Sequence, residues 1–242
     1  MPVSVMPVLR DAFALFRRDG DWLVRLAAPF LFLPSFVLAL LVPRWPAAPA
    51  TAGDDGRSLA WAQAFGEWVA RYGGWYAAGY AVGAFGAAAL FAAYLDADAP
   101  DLRGALRRAG TLLPRYLLAS LLVAIPTGAG LYLWIVPGLY VMARTMLAGP
   151  ALVAERPIGA VQSLLRSLQL SAGAGLPLMA LAAIVLLAGV LLAQPFVAIE
   201  TLAKDGGVGR VAAAAGVAGV SMLTNIAQAL VAVAAYRRLA AR

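Results

Sequence analysis

Residues 176–199 read LPLMALAAIVLLAGVLLAQPFVAI, a run without one Asp, Glu, Lys or Arg. A helix that crosses the hydrocarbon of a bilayer needs roughly 20 predominantly apolar residues. This run exceeds that length, and its one amide, Gln194, falls near an end. The same reading carried outward gives five more spans, at 22–43, 75–95, 116–135, 138–154 and 211–236. Of the 242 residues, 63% are hydrophobic. A soluble domain holds about 45–50%, and folding in water cannot hide so large an excess. The expected fold is therefore all-α: a polytopic membrane bundle of about six transmembrane helices, forming one domain over residues 1–242.

The segments between spans carry their own pattern. In 8–19, Leu9, Ala12, Phe13 and Phe16 recur at helical spacing, with Arg10, Arg17 and Arg18 off that face. This predicts a basic amphipathic helix along the headgroups. Residues 59–72 place Trp61, Phe65, Trp68, Val69 and Tyr72 on one face, which suits the membrane interface. In 96–115, Asp96, Asp98 and Asp101 precede Arg103, Arg107, Arg108 and Arg115. Acids before bases complement a helix dipole at both ends. Residues 155–173 form a further amphipathic stretch. Spans one, three and five thus each follow an arginine-bearing surface segment, as in three helical hairpins. Pro29 and Pro34 predict a kink in the first span, and Pro137-Gly138 a tight turn. Gly79, Gly83 and Gly86 predict close helix packing. Ala50-Thr51-Ala52 offers small residues of the kind found at signal-peptide cleavage sites. Asp11, Asp19, Asp21 and Arg25 lie upstream or inside the apolar start, so the first span is expected to be retained.

Net charge is +7, and all but one of the 19 basic residues are arginine, the exception being Lys204. With the N-terminus inside, one side holds Arg10, Arg17, Arg18, Arg25, Arg103, Arg107, Arg108, Arg115, Arg156, Arg166, Arg237, Arg238 and Arg242. The other holds Arg44, Arg57, Arg71, Lys204 and Arg210. Basic residues are retained on the cytoplasmic side, so both termini are expected there, in a bacterial cytoplasmic (inner) membrane. Heavy Ala, Gly, Val and Arg usage points to a GC-rich bacterial genome. The charge reads as topology, with no soluble basic domain for nucleic acid.

The chain contains no cysteine and no histidine. It therefore has no disulfide or thiolate, and lacks both the commonest metal ligand and the usual neutral-pH base. No metal, no cofactor and no catalytic residues are expected, and the chain is not expected to be an enzyme.

Within Val136–Gly173 stand Pro137-Gly138-x-Tyr140-x3-Arg144, then Pro150 with Glu155, then Leu164-x-Arg166-Ser167-x2-Leu170-x2-Gly173. This stretch, about a sixth of the chain, resembles the bacterial family named after the membrane domain of glycerophosphoryl diester phosphodiesterase, which includes the YciC-like inner-membrane proteins. Glu155 stands about one residue further from Ser167 than in that family's pattern. The resemblance implies an integral inner-membrane protein of poorly defined role, and it does not imply phosphodiesterase activity. In proteins that hydrolyse, the chemistry belongs to a separate soluble domain with histidines and metal-binding carboxylates.

Arg144 is the one charge clearly inside a predicted span, where arginine costs roughly 2.5–3.5 kcal/mol. Tyr140 shares its helix face. Ser221, Asn225 and Gln228 form a polar stripe on the last span. One reading is a buried polar pocket of Tyr140, Arg144, Gln194, Ser221, Asn225 and Gln228 that holds an anion or lipid headgroup. The other is an arginine that caps carbonyls freed by Pro150 or pins helix packing. Glu155, Arg166 and Ser167 form a candidate cytoplasmic motif, either helix capping or partner docking. The expected partners are membrane lipids, anionic ones included, and a membrane protein or second copy of the chain. The leading functional expectation is a non-catalytic inner-membrane protein that organises or assembles the envelope by binding lipid or partners. The alternative is a transporter or channel for a small solute or lipid. Against the alternative, no acidic residue sits mid-span to couple protons or sodium. An intramembrane enzyme is the third reading, and neither paired aspartates nor a Ser-His dyad supports it.

Overall fold

The computed structural model describes residues 4–43, 46–47, 55–96, 101–133, 135–202 and 207–241. Among these residues there is no strand. The helices are α1 (Val5–Ala27), a π-helical turn (Ala28–Phe32), α2 (Leu33–Leu41), α3 (Asp55–Leu95), α4 (Leu102–Leu133), α5 (Ile135–Thr145), α6 (Ala148–Ala154), α7 (Ala160–Leu170), α8 (Gly175–Leu202) and α9 (Val208–Ala240). Six helical stretches are long and apolar enough to cross a membrane: Val5–Leu41, Gly56–Leu95, Leu102–Gly128, Ile135–Ala154, Gly175–Thr201 and Val208–Ala240. The chain is a multi-pass, all-α membrane protein, and each stretch contains most or all of one predicted span. Helices are the natural solution, because hydrocarbon offers backbone groups no water to bond.

α9 is the central post. It touches α1, α2, α3, α6, α7 and α8, and every position from 229 to 236 is buried. A helix apolar on all sides belongs in the interior. Its small residues Ala229, Ala232, Ala234 and Ala235 let neighbours approach closely. Glycine does the same at the periphery. A methyl group on Gly79 would lie 2.7 Å from Leu38 Cδ1, and one on Gly86 would lie 2.5 Å from Phe30 Cβ. The small-residue face of α3 is therefore used inside this chain, against α2 and the π-helical turn.

Several predicted boundaries are corrected. The predicted surface helix at 8–19 is continuous with the first span, and Val8, Ala12 and Leu15 are buried in the core while Phe13 is 61% exposed. Packing onto α9 selects that face. Residues 59–72 and the second span form one 41-residue helix, about 60 Å long at 1.5 Å per residue. Its aromatic face is stacked, Trp61 on Phe65 and Phe65 on Trp68. The indoles of Trp61 and Trp68 donate to the carbonyls of Pro46 and Pro43. The segment before the third span likewise merges with it from Leu102, with Pro114 inside the helix. The kink expected at Pro29 and Pro34 is a π-helical turn, in which the Leu33 N–H reaches back to Ala28 O. The wider turn absorbs the hydrogen bond that Pro29 cannot make. Pro137 lies in the first turn of α5 instead of at a tight turn, where a missing N–H costs nothing. Only the segment at 155–173 yields a separate helix, α7. Arg44, Asp54, Asp98, Lys204, Arg242 and the Ala50-Thr51-Ala52 stretch lie outside the described residues.

Charges gather at one end of the bundle. Arg238 bonds Asp11 at 2.6 Å. Asp19 accepts from Arg18 at 2.8 Å and from the Tyr94 hydroxyl at 2.9 Å, and Arg237 donates to Tyr94 O at 2.7 Å. Asp96 is buried between Arg108, at 3.1 Å, and Arg156. Solvent screens the exposed pairs, so they add little to stability. Asp96 differs, because truncating it leaves arginines paired with a buried void. Asp96→Ala is expected to cost about 3–5 kcal/mol, read as a lowered unfolding midpoint in mild detergent.

Gly130 tests close packing elsewhere. A methyl group there would lie 2.7 Å from Gly138 Cα, a backbone atom that cannot rotate aside. Gly130→Ala should destabilise by about 1–3 kcal/mol. Gly74→Ala, with nothing within 4 Å, should leave the midpoint unchanged or raise it.

Candidate functional site

The predicted fourth span is broken: α5 ends at Thr145 and α6 begins at Ala148. Arg144 sits in the last turn of α5. Its Nη1 donates to Ser171 O at 2.9 Å and its Nη2 to Leu168 O at 2.9 Å. These are carbonyls at the C-terminal end of α7, which have no intrahelical partner of their own. In return the Ser167 hydroxyl donates to Arg144 O at 2.7 Å. The Ser171 hydroxyl donates to Ser167 O at 2.7 Å. Gly173 then turns the chain with φ +74°, a conformation that glycine adopts without a Cβ penalty. A methyl group on Gly175, the first residue of α8, would come within 3.1 Å of Tyr140 Cε2 and 3.5 Å of Arg144 Cδ. The stretch at 137–175 is thus an interlocked joint between α5, α7 and α8.

This geometry separates the residues grouped by sequence. Tyr140 and Arg144 meet at Gly175. Gln194 is exposed on α8 and donates to Val190 O at 3.4 Å. Asn225 donates to Ser221 O at 2.8 Å within α9. The arginine caps carbonyls of α7, not those near Pro150, and it lines neither of the two cavities that Asn225 lines. The candidate motif is likewise split. Glu155 accepts from Arg166 Nε at 2.7 Å and from the Tyr236 hydroxyl at 2.9 Å, tying α7 to the end of α9. Ser167 is fully buried, so it cannot serve as a docking residue. α7 has a serine stripe inward, with Ser163 and Ser167 at 0% exposure, followed by Ser171 in the turn. Val161 and Leu165 point outward at 59% and 54% exposed.

Asn225 and Gln228 face a different space. A cavity of about 560 Å³ opens between α3, α4, α5, α6 and α9. Its polar lining is Tyr80, Tyr116, Ser120, Thr127, Thr145, Asn225 and Gln228, and its apolar lining includes Phe91, Val123, Met142 and Met146. None of its lining residues is charged. Some polar groups are already committed. Thr145 donates to Val141 O at 2.8 Å and Ser120 to Leu117 O at 2.9 Å. Gln228 Nε2 has only the sulfur of Met142 at 3.8 Å. Thr127 Oγ1 is buried with no hydrogen-bond partner among the described residues. A second cavity of about 250 Å³ adjoins the first and shares Tyr80, Tyr116, Ser120 and Asn225 with it.

Sequence reasoning found Asn225 and Gln228 but missed their neighbours. The signal was present on α4, where Tyr116, Ser120 and Thr127 recur four and then seven residues apart on one helix face. Polar residues on one face of a span mark a bundle interior or a cavity. Among the described residues, no group of three His, Cys, Asp or Glu side chains is placed to hold a metal.

The joint and the cavity separate by mutation. Arg144→Ala should cost about 2 kcal/mol or more, because a charged donor shared by two carbonyls is lost. Ser167→Ala should cost about 1 kcal/mol. The two partners share one joint, so the double variant should cost less than the sum. Equilibrium unfolding of the four proteins in mixed micelles measures this, and strict additivity would refute the joint. Comparison with family models, with curated proteins and with solved structures returned no match to this chain.

Proposed function

We propose that this chain is a non-catalytic protein of a bacterial cytoplasmic membrane, with both termini cytoplasmic, that binds a membrane lipid within its bundle. One observation carries the reading: the cavity of about 560 Å³ amid the spans, walled by uncharged hydrogen-bonding side chains. Ligand pockets are typically about 300–1,000 Å³, mostly apolar, with a few placed polar groups. An amide exposed on a spanning helix is costly unless something hydrogen-bonds it, and Asn225 is exposed where it lines this space. The arginine bias supports the orientation, and the likeness of Val136–Gly173 to the phosphodiesterase membrane-domain family supports the inner-membrane assignment. Cavity walls without carboxylate, histidine or thiol support the non-catalytic reading.

The adjoining second cavity favours a further reading, in which lipid or a small solute moves along the cleft. The absence of charge from the lining makes such movement uncoupled to protons or sodium.

The test is native mass spectrometry of protein released from membranes in polymer-bounded discs. The parent should carry a defined extra mass. Asn225→Leu combined with Gln228→Leu should lose it, and Ser167→Ala, outside the cavity, should keep it. A bare monomer mass for all three proteins would overturn the binding reading. Bound lipid together with lipid scrambling in reconstituted liposomes, abolished by the same double variant, would favour passage over static binding.

A further inference from the structure

The two cavities differ in what their walls can do. In the first, hydrogen-bonding capacity is left over. Thr127 Oγ1 has no partner among the described residues. The Gln228 amide nitrogen has only a thioether. Asn225 commits one amide proton to Ser221 O, which leaves its second proton and its oxygen. In the second cavity, the residues not shared with the first are Phe30, Leu31, Pro34, Ser35, Gly79, Gly83, Ala84 and Ala87. Ser35 is the only hydroxyl among them, and it is spent on Leu31 O at 2.9 Å. The π-helical turn and the small residues of α3 open this second space. Apart from the residues it shares, its wall is an apolar slot, joined to the first chamber through Tyr80, Tyr116, Ser120 and Asn225.

We infer, resting on the lipid-binding reading above, that the ligand is a neutral lipid with a hydroxyl- or carbonyl-bearing head. The head lies in the polar chamber, hydrogen-bonded by Thr127, Asn225 and Gln228, and the hydrocarbon chain lies in the slot along Gly79 and Gly83. Charge decides the class. A phosphate or ammonium group moved into this chamber loses its hydration and meets no counter-ion among the lining residues, and an unpaired buried charge is strongly disfavoured. Arg144, next to the lining residue Thr145, is occupied by Leu168 O and Ser171 O. A hydroxyl or carbonyl pays far less for desolvation and matches the unused donors and acceptors. Diacylglycerols and isoprenoid quinones share this chemistry.

The experiment titrates the full-length protein in detergent micelles with four probes: a short-chain diacylglycerol, a short-chain benzoquinone, phosphatidylglycerol and phosphatidylethanolamine. Binding is read by native mass spectrometry and by the shift in unfolding temperature. At least one neutral probe should bind about tenfold or more tightly than either phospholipid, and which one binds identifies the source. Thr127→Val with Gln228→Leu should weaken that probe about tenfold, as loss of one or two hydrogen bonds predicts. Gly83→Leu leaves the chamber untouched and fills the slot. It should weaken a long-chain homologue of the bound probe while sparing the short-chain form. Phospholipid binding equal to or tighter than the neutral probes, lost in Thr127→Val/Gln228→Leu, would overturn the neutral-head assignment and leave the lipid-binding reading standing. No binding or shift with any probe would overturn both. Equal effects of Gly83→Leu on both chain lengths would remove the slot from the assignment.

Discussion

The structure depends on one constraint: inside hydrocarbon, every backbone carbonyl and amide needs a partner supplied by the protein. Continuous helices meet it without help, and most of this chain consists of them. Two interruptions do not, at 145–148 and at 171–174, and they lie side by side. Arg144 resolves both. Its guanidinium supplies donors to the end of α7, and its own carbonyl receives Ser167. A lysine there would offer a single ammonium in place of a rigid fork. The cost of placing arginine in a span is offset by three hydrogen bonds that the break makes necessary.

Charge and packing then divide the bundle into regions. At one end, carboxylates and arginines from α1, α4, α7, α9 and the segments that follow α3 and α6 interleave, and among the described residues only Asp96 is buried deeply enough for its pairing to weigh heavily in stability. Along the bundle, α9 presents alanines to its neighbours, and glycines bring α3 onto α2 and α4 onto α5. Where aromatic residues replace them, helices stand apart. Phe91 and Tyr116 meet at 6.2 Å between ring centroids, over Gly149, and the cavity opens beside them. Space for a ligand is thus the complement of close approaches made elsewhere.

The residue pattern of Val136–Gly173 has a counterpart in the geometry of that stretch. Pro137 begins α5, Gly138 meets Gly130, Tyr140 covers Gly175, and Arg144 holds α7. Glu155 is held by Arg166 and Tyr236, and Gly173 makes the left-handed turn. Most of the quoted positions have a structural task, and Tyr140, Arg144, Ser167 and Gly173 share one joint. The residues best placed to touch a ligand lie mostly outside it, on α3, α4 and α9.

Sequence alone determined the all-α membrane architecture and the places of six spans, because hydrophobic length and the cost of bare backbone in lipid leave no other solution. It also exposed the polar positions Asn225 and Gln228 and the anomalous Arg144, since each violates an otherwise apolar period. Only the tertiary structure decided what those violations meet. Helical spacing says which residues share a face but not which neighbour that face meets. Tyr140, Arg144, Gln194 and Gln228 therefore read as one pocket when they belong to three surroundings. The break at 146–147 does have a local cause in Pro150, which offers no N–H to the Met146 carbonyl, but the spacing did not say whether the span would kink or stop there. Whether a surface segment continues into a span or stops, as α1 and α7 respectively do, depends on the helix it packs against. The cavity is a relation among four or more helices, set by the volumes of side chains far apart in the chain, and no single segment contains it.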